Sequence, residues 1–143
     1  MKKTWVVAAE SGRARIFLLE NRVAPLKEID ELSNPVARAH ERDLISDRPG
    51  RAFDSAGQGR HSMEPQIDPK QQEAVAFAKK IDERLDQGRI KGDFEELILI
   101  APPAFLGILR HNINGNTAKC IAKTISKHLV QKEPTEIRAY LFS

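Results

Sequence analysis

The stretch TWVVAAESGRARIFLLE, residues 4–20, consists of two apolar runs separated by a short polar break, Glu10-Ser11-Gly12. Runs rich in β-forming residues, joined by a few polar residues with a glycine, are typical of a β-hairpin. The stretch therefore predicts antiparallel strands at 4–9 and 13–20. Residues 26–32, LKEIDEL, follow Pro25 and predict a weaker third strand.

The second half of the chain predicts helices around one further strand. Asp68 and Pro69 fit the N-cap and the first position of a long helix. Its apolar stripe ends before Gly88, the predicted stop, and contains Val75, Phe77, Ala78, Ile81 and Leu85. FEELILIA, residues 94–101, predicts a strand covered on both faces, and the two prolines after it start a short helix to Arg110. A last short helix is predicted from Thr135, its expected cap.

Residues 116–130 fit two patterns. As a helix, they carry apolar residues on one face and three lysines on the other: Lys119, Lys123 and Lys127. As a strand, the same lysines share a face with isoleucines, which separates polar from apolar residues less well. The pattern alone favours a helix. Together the elements predict one α/β domain over residues 1–143, with helices packed on a mixed sheet.

The composition is that of a globular protein, with 41% hydrophobic and 30% charged residues. Cys120 is the only cysteine, so no internal disulfide is expected and a reducing cytoplasm suits the chain. The apolar run that ends at Ala9 is shorter than the core of a signal peptide. The longest apolar stretch, residues 97–109, contains two prolines and is shorter than the roughly 20 residues of a spanning helix. We therefore expect a cytoplasmic protein without membrane contact.

Two segments are candidates for binding. From Arg110 to Lys132 the chain has five lysines and arginines but no Asp or Glu, which predicts either a polyanion-binding surface or a solvated basic face. The connection DRPGRAFDSAGQGRHSMEP, residues 47–65, combines arginines suited to phosphate with glycines that let a ligand approach the backbone. Its candidate residues are Arg48, Arg51, Gly57, Gln58, Gly59, Arg60 and His61. The structural alternative is that the arginines pair with nearby carboxylates, those of Asp43, Asp47 and Asp54.

Other site types lack the residues they need. A nuclease of ribonuclease-H type requires a carboxylate within the first strand, but residues 4–9 contain none, and Glu10 is interpreted as a turn residue. The histidines and Cys120 do not have the spacing of zinc ligands. Gly57 and Gly59 lie about ten residues before the long helix and lack the lysine of a P-loop. We expect no metal and no cofactor, and a binding protein rather than an enzyme.

Four segments resemble the bacterial family named "protein required for attachment to host cells": WVVAAESGRARIF, RDLISDRPGRAFDS, GRHSMEP and LILIAPPAFLGILR. The resemblance covers nearly the whole chain. That family is similar, more remotely, to the middle domain of archaeo-eukaryotic peptide-chain release factors. The resemblance implies a five-stranded, ribonuclease-H-like mixed sheet in which residues 121–128 form the fifth strand, against the helical pattern.

The release-factor domain presents a Gly-Gly-Gln loop before its long helix, and the resemblance puts residues 55–61, SAGQGRH, in that place. Ala56 stands where the first glycine would be, so the backbone freedom of two adjacent glycines is reduced. Gln58 is the weak catalytic candidate, with an ordinary polar loop residue as the alternative.

Three functions remain open. The first is a non-enzymatic binding protein that engages ribosomal RNA or transfer RNA through residues 47–65, together with the lysines at 119, 123 and 127. The second is a factor that affects attachment to host cells through a protein partner. The third is peptidyl-tRNA hydrolysis on the ribosome, at Gln58.

Overall fold

The computed structural model describes residues 2–37 and 68–142. In these ranges the chain forms β1 (Thr4–Glu10), β2 (Arg13–Leu19), β3 (Lys27–Ser33), α1 (Pro69–Lys91), β4 (Glu96–Ala101), α2 (Pro103–Asn112), α3 (Gly115–Ala118), β5 (Ile121–Ser126) and α4 (Pro134–Leu141). The strands form one five-stranded sheet in the order β3-β2-β1-β4-β5. β1, β2 and β3 are antiparallel, whereas β4 pairs in parallel with both β1 and β5. The predicted α/β fold with a mixed sheet is confirmed.

The predicted hairpin forms the centre of this sheet. β1 and β2 pair from Thr4 with Leu19 to Glu10 with Arg13, so Ser11 and Gly12 make the turn. Glu10, interpreted from the sequence as a turn residue, is instead the last residue of β1, and its Oε1 accepts a hydrogen bond from the Gly12 N–H in the turn at 2.8 Å. Because β4 pairs with the other edge of β1, this strand has a neighbour on both sides.

Alternate side chains of β1 enter two separate cores. Trp5, Val7 and Ala9 pack with residues of α1 and α2, and Val6 and Ala8 pack on the opposite face with residues of α4. Full burial of a side chain as large as Val6 or Val7 contributes about 1.5–3 kcal/mol relative to an exposed one. The described structure therefore has three layers: α1 with α2, the sheet, and α4. β1 lies in the middle layer.

Helix α1 begins as predicted but ends later than predicted. Asp68 Oδ1 accepts a hydrogen bond from the Lys70 N–H at 3.1 Å, and Pro69 is the first helical residue, so the predicted cap is confirmed. The predicted stop at Gly88 is wrong, because the helix runs to Lys91 and ends at Gly92, which has φ 77°. Gly88 instead allows a close approach between helix and sheet, since a Cβ there would lie 2.4 Å from the Trp5 ring.

The helix favoured by the pattern at residues 116–130 is wrong, and the strand implied by the family resemblance is right. β5 pairs with β4 along its length, with a register shift between Leu97 and Ile98. As a result Ile121 packs against the core under α1, whereas Ile125 packs against the core under α4. The irregular pairing and an exposed sheet edge explain why simple alternation is absent from the sequence.

Helix α4 confirms the predicted last helix but corrects its cap. The helix begins at Pro134 with Glu133 as N-cap, and no side chain caps it, so Thr135 is not the cap. Ile137 and Leu141 are buried against the sheet.

We expect replacement of Gly88 by alanine to destabilise the protein by about 1–3 kcal/mol, because the added methyl group overlaps the Trp5 ring. Gly107 provides a matched control in α2, because a Cβ there meets no atom within 4 Å. Gly107→Ala should be neutral or stabilise by up to about 1 kcal/mol. Urea unfolding of both variants measures the difference, and equal midpoints would contradict the proposed contact.

We expect Asp68→Ala to lower the free energy of unfolding by about 0.5–2 kcal/mol, because the Lys70 N–H loses its side-chain acceptor. Asp68→Asn keeps an acceptor oxygen and should retain most of the stability. Chemical unfolding of the two variants compares them directly. An alanine variant as stable as the asparagine variant would show that the cap contributes nothing.

Candidate nucleic-acid interface

The predicted loop site lies outside the described residues: Arg48, Arg51, Gly57, Gln58, Gly59, Arg60 and His61. So do Asp43, Asp47 and Asp54, the alternative partners of the arginines. The structure does show how the chain is anchored before and after this segment. The N–H of Asn34 donates to Gly12 O at 2.9 Å, and its side chain donates to Ser11 O at 3.1 Å. Asp68, on the far side of the segment, caps α1.

A cleft of about 620 Å³ lies where the parallel strands end. It is lined by Glu10 and Ser11 after β1, Pro102 after β4, His128 after β5, and the first turns of α1 and α2. The chain leaves β1 toward β2 on one side and leaves β4 toward β5 on the other. Such a switch point at the carboxyl ends of strands is where α/β proteins generally bind ligands.

Glu10 and His128 meet at this cleft. Glu10 Oε2 lies 3.4 Å from His128 Nε2, which places the segment after β5 beside the β1–β2 turn. Within residues 2–37 and 68–142 no group of three or more His, Cys, Asp and Glu residues is arranged to hold a metal ion. Over the same ranges, no helix combines the length and the apolar character needed to cross a membrane.

Several arginines that the structure describes are engaged within the fold. Arg13 pairs with Glu31 at 2.7 Å, Arg15 with Glu28 at 2.9 Å, Arg84 with Asp30 at 2.6 Å, and Arg89 with Asp86 at 2.7 Å. Arg15 also donates to the backbone oxygens of Val130 and Lys132, both at 2.7 Å, and so joins β2 to the segment after β5. Arg13, Arg15 and Arg84 connect different elements of the structure, whereas Arg89 pairs within α1.

The predicted lysine face lies along the terminal strand of the sheet. We call Lys119, Lys123 and Lys127 the basic edge: the first caps the end of α3, the second lies in β5 and the third follows it. None of the three is within ion-pair distance of a carboxylate in the described part of the chain. Lys123 Nζ donates to Leu141 O at 3.0 Å, and Lys127 Nζ lies 5.8 Å from the centre of the Tyr140 ring.

A polar network attaches α3, and with it the start of the basic edge, to α1. Asn114 caps α3 by accepting from the Thr117 N–H at 3.0 Å, and its side-chain amide donates to Asp82 at 3.0 Å and to Asp86 at 3.2 Å. The hydrogen bond from Arg89 is the main cause that lowers the pKa of Asp86, and the bond from Asn114 adds to it. The sequence pattern did not lead us to predict this network. The available signal was two aspartates four residues apart, which share one face of a helix.

A family model described as "Protein required for attachment to host cells" matches residues 5–141. The chain therefore belongs to this family. No curated protein matches the chain. A solved structure described as "Archaeal protein" is similar over 98% of this chain, with 14% sequence identity and a TM-score of 0.49. This chain spans 36% of the length of that protein. The likeness to release factors stays a prediction.

We expect the network at Asp86 to make stability depend on pH. A carboxyl whose pKa is lowered in the folded state stabilises the fold above its unfolded pKa and loses that effect as the pH falls. Asp86→Asn should therefore unfold more easily than the wild type at pH 7, and the difference should shrink below about pH 4. Asp93→Asn, at an exposed position after α1, is the control. Urea midpoints across this range test the prediction, and a pH-independent difference would contradict it.

Proposed function

We propose that this protein is a non-enzymatic binding protein that contacts RNA, and that the basic edge and residues 47–65 are the two parts of its interface. One observation carries the proposal. Arg13, Arg15 and Arg84 are neutralised by carboxylates, whereas the lysines of the basic edge have no described carboxylate partner. Cations along one edge that no described carboxylate neutralises repel each other, and a chain of phosphates relieves that repulsion.

The position of the cleft supports a single interface that includes both the basic edge and residues 47–65. Lys127 is followed directly by His128, which lines the cleft together with Asp68. Asp68 is the first described residue after the arginine-rich segment. Asn34, which precedes that segment in the chain, bonds to the turn that also lines the cleft. A polyanion bound along the basic edge would therefore reach the place where this segment joins the fold.

Ribosomal RNA or transfer RNA in the cytoplasm is the ligand that we propose. The family description favours a second function, an effect on attachment to host cells through a protein partner. The two functions differ in the salt dependence of RNA binding, because RNA affinity falls with salt more steeply the more phosphates the protein contacts.

The test uses two sets of charge-removing substitutions. Lys119, Lys123 and Lys127 are changed together to glutamine in one variant, and Arg48, Arg51 and Arg60 in another. Each should weaken binding to ribosomal RNA and flatten the plot of log affinity against log salt by about 0.7 per lost contact on a single strand. A matched control changes Lys27, Lys79 and Lys80, which are exposed and lie on β3 and α1. This control should bind as the wild type does.

The outcomes separate the functions. If both test variants stay folded and bind RNA with unchanged affinity and salt dependence, the proposal is wrong. A wild-type chain that neither binds RNA at low salt nor sediments with ribosomes would leave attachment through a protein partner as the function. Hydrolysis of peptidyl-tRNA that is lost in Gln58→Ala would show that the protein is an enzyme.

A further inference from the structure

The cleft at the carboxyl ends of β1 and β4 is large enough for a small organic group. Its volume of about 620 Å³ lies within the range of roughly 300–1,000 Å³ that is usual for ligand pockets. Ala74, Pro102, Phe105 and Ile108 make one part of its lining apolar. Ala74 and Phe105 also belong to the core under α1 and α2, so packing holds this part in place. The cleft therefore offers a fixed apolar surface to a ligand.

Hydrogen-bonding groups lie beside this apolar surface. Glu10 Oε1 accepts from the Gly12 N–H at 2.8 Å, and Asp68 Oδ1 accepts from the Lys70 N–H at 3.1 Å. A carboxylate has about four acceptor sites on its two oxygens, so these bonds leave sites for a ligand. Lys70 and Gln71, which are exposed, add side-chain donors to the lining. A ligand with several donors and acceptors therefore suits the cleft.

The charges that line the cleft do not favour an anion. Among the described residues, the lining contains two carboxylates, those of Glu10 and Asp68, and two groups that can be cationic, Lys70 and His128. His128 lies 3.4 Å from Glu10, so these two groups offset each other whenever the histidine is charged. A phosphate is therefore favoured at the basic edge rather than in the cleft. The lining suits an uncharged group instead.

We propose that the cleft binds the base and ribose of one unpaired nucleotide of an RNA whose phosphates lie on the basic edge. This inference rests on the proposed function and names the part of the RNA that enters the cleft. A base has an apolar face and an edge of donors and acceptors, and the ribose adds hydroxyl groups. The basic edge ends at Lys127, and the next residue, His128, lines the cleft, with Cα atoms about 3.8 Å apart. One strand can therefore contact both.

The test fills the cleft from a position at its surface. Ala104 lines the cleft and is exposed, so Ala104→Phe should occupy part of the cleft without disturbing the core. Ala76→Phe is the matched control, because Ala76 is exposed on α1 and does not line the cleft. Both variants should fold, since surface substitutions have small effects on stability, and their unfolding midpoints verify this.

Two fluorescent oligoribonucleotides of about 12 nucleotides serve as ligands, one complete and one with the same backbone but without bases. The wild type and Ala76→Phe should bind the complete oligomer about 5- to 100-fold more tightly than the abasic one. Ala104→Phe should bind the two oligomers with nearly equal affinity. An Ala104→Phe variant that keeps the full preference for bases would overturn the inference.

A second readout locates the base on the protein. The backbone amide resonances of Ser11, Gln71 and Ala104 should shift when the complete oligomer is added and should stay in place with the abasic one. The amides of Lys123 and Lys127 should respond to both oligomers, because both carry phosphates. Cleft amides that respond equally to the two oligomers, or to neither, would show that no base enters the cleft.

The result also separates this inference from the proposed function. If the wild type binds both oligomers equally and with the same salt dependence, RNA binding stands and the role of the cleft is wrong. A wild-type protein that binds neither oligomer at low salt overturns both proposals.

Discussion

The need to bury β1 on both faces and along both edges places the other elements of the described structure. Residues 4–9 are all buried, and no side chain between Trp5 and Ala9 is polar. A strand of this kind has no surface that water stabilises, so it requires a neighbouring strand on each side and a layer on each face. β2 and β4 supply the neighbours, α1 with α2 covers one face, and α4 covers part of the other.

The parts of the fold that were predicted from sequence depend on local signals. The hairpin needs only a few adjacent residues, and the α1 cap needs only Asp68 and Pro69. Gly88 was misassigned because its role depends on Trp5, which is 83 residues away in the chain and meets it only in the folded state. Residues 116–130 were misassigned by pattern for the same kind of reason: the pairing of β5 with β4, including its register shift, is a tertiary property.

The candidate site was likewise predicted only in part from the sequence. The run of lysines without carboxylates is visible in the sequence, but its position on a terminal strand is not. Arg13, Arg15 and Arg84 join elements of the fold, and the sequence alone does not distinguish such arginines from those that bind a ligand.

The charged side chains on the two edges of the sheet differ in their partners. Charged side chains on terminal strands prevent pairing with other chains, and charges of either sign can do this. On β3, the opposite edge, the charges are mainly carboxylates, and each pairs with an arginine: Glu28, Asp30 and Glu31. The carboxylates on that edge are therefore neutralised by arginines of the fold itself. Protection therefore does not require cations that lack a carboxylate partner among the described residues, and the lysines of the basic edge support the anionic ligand that we propose.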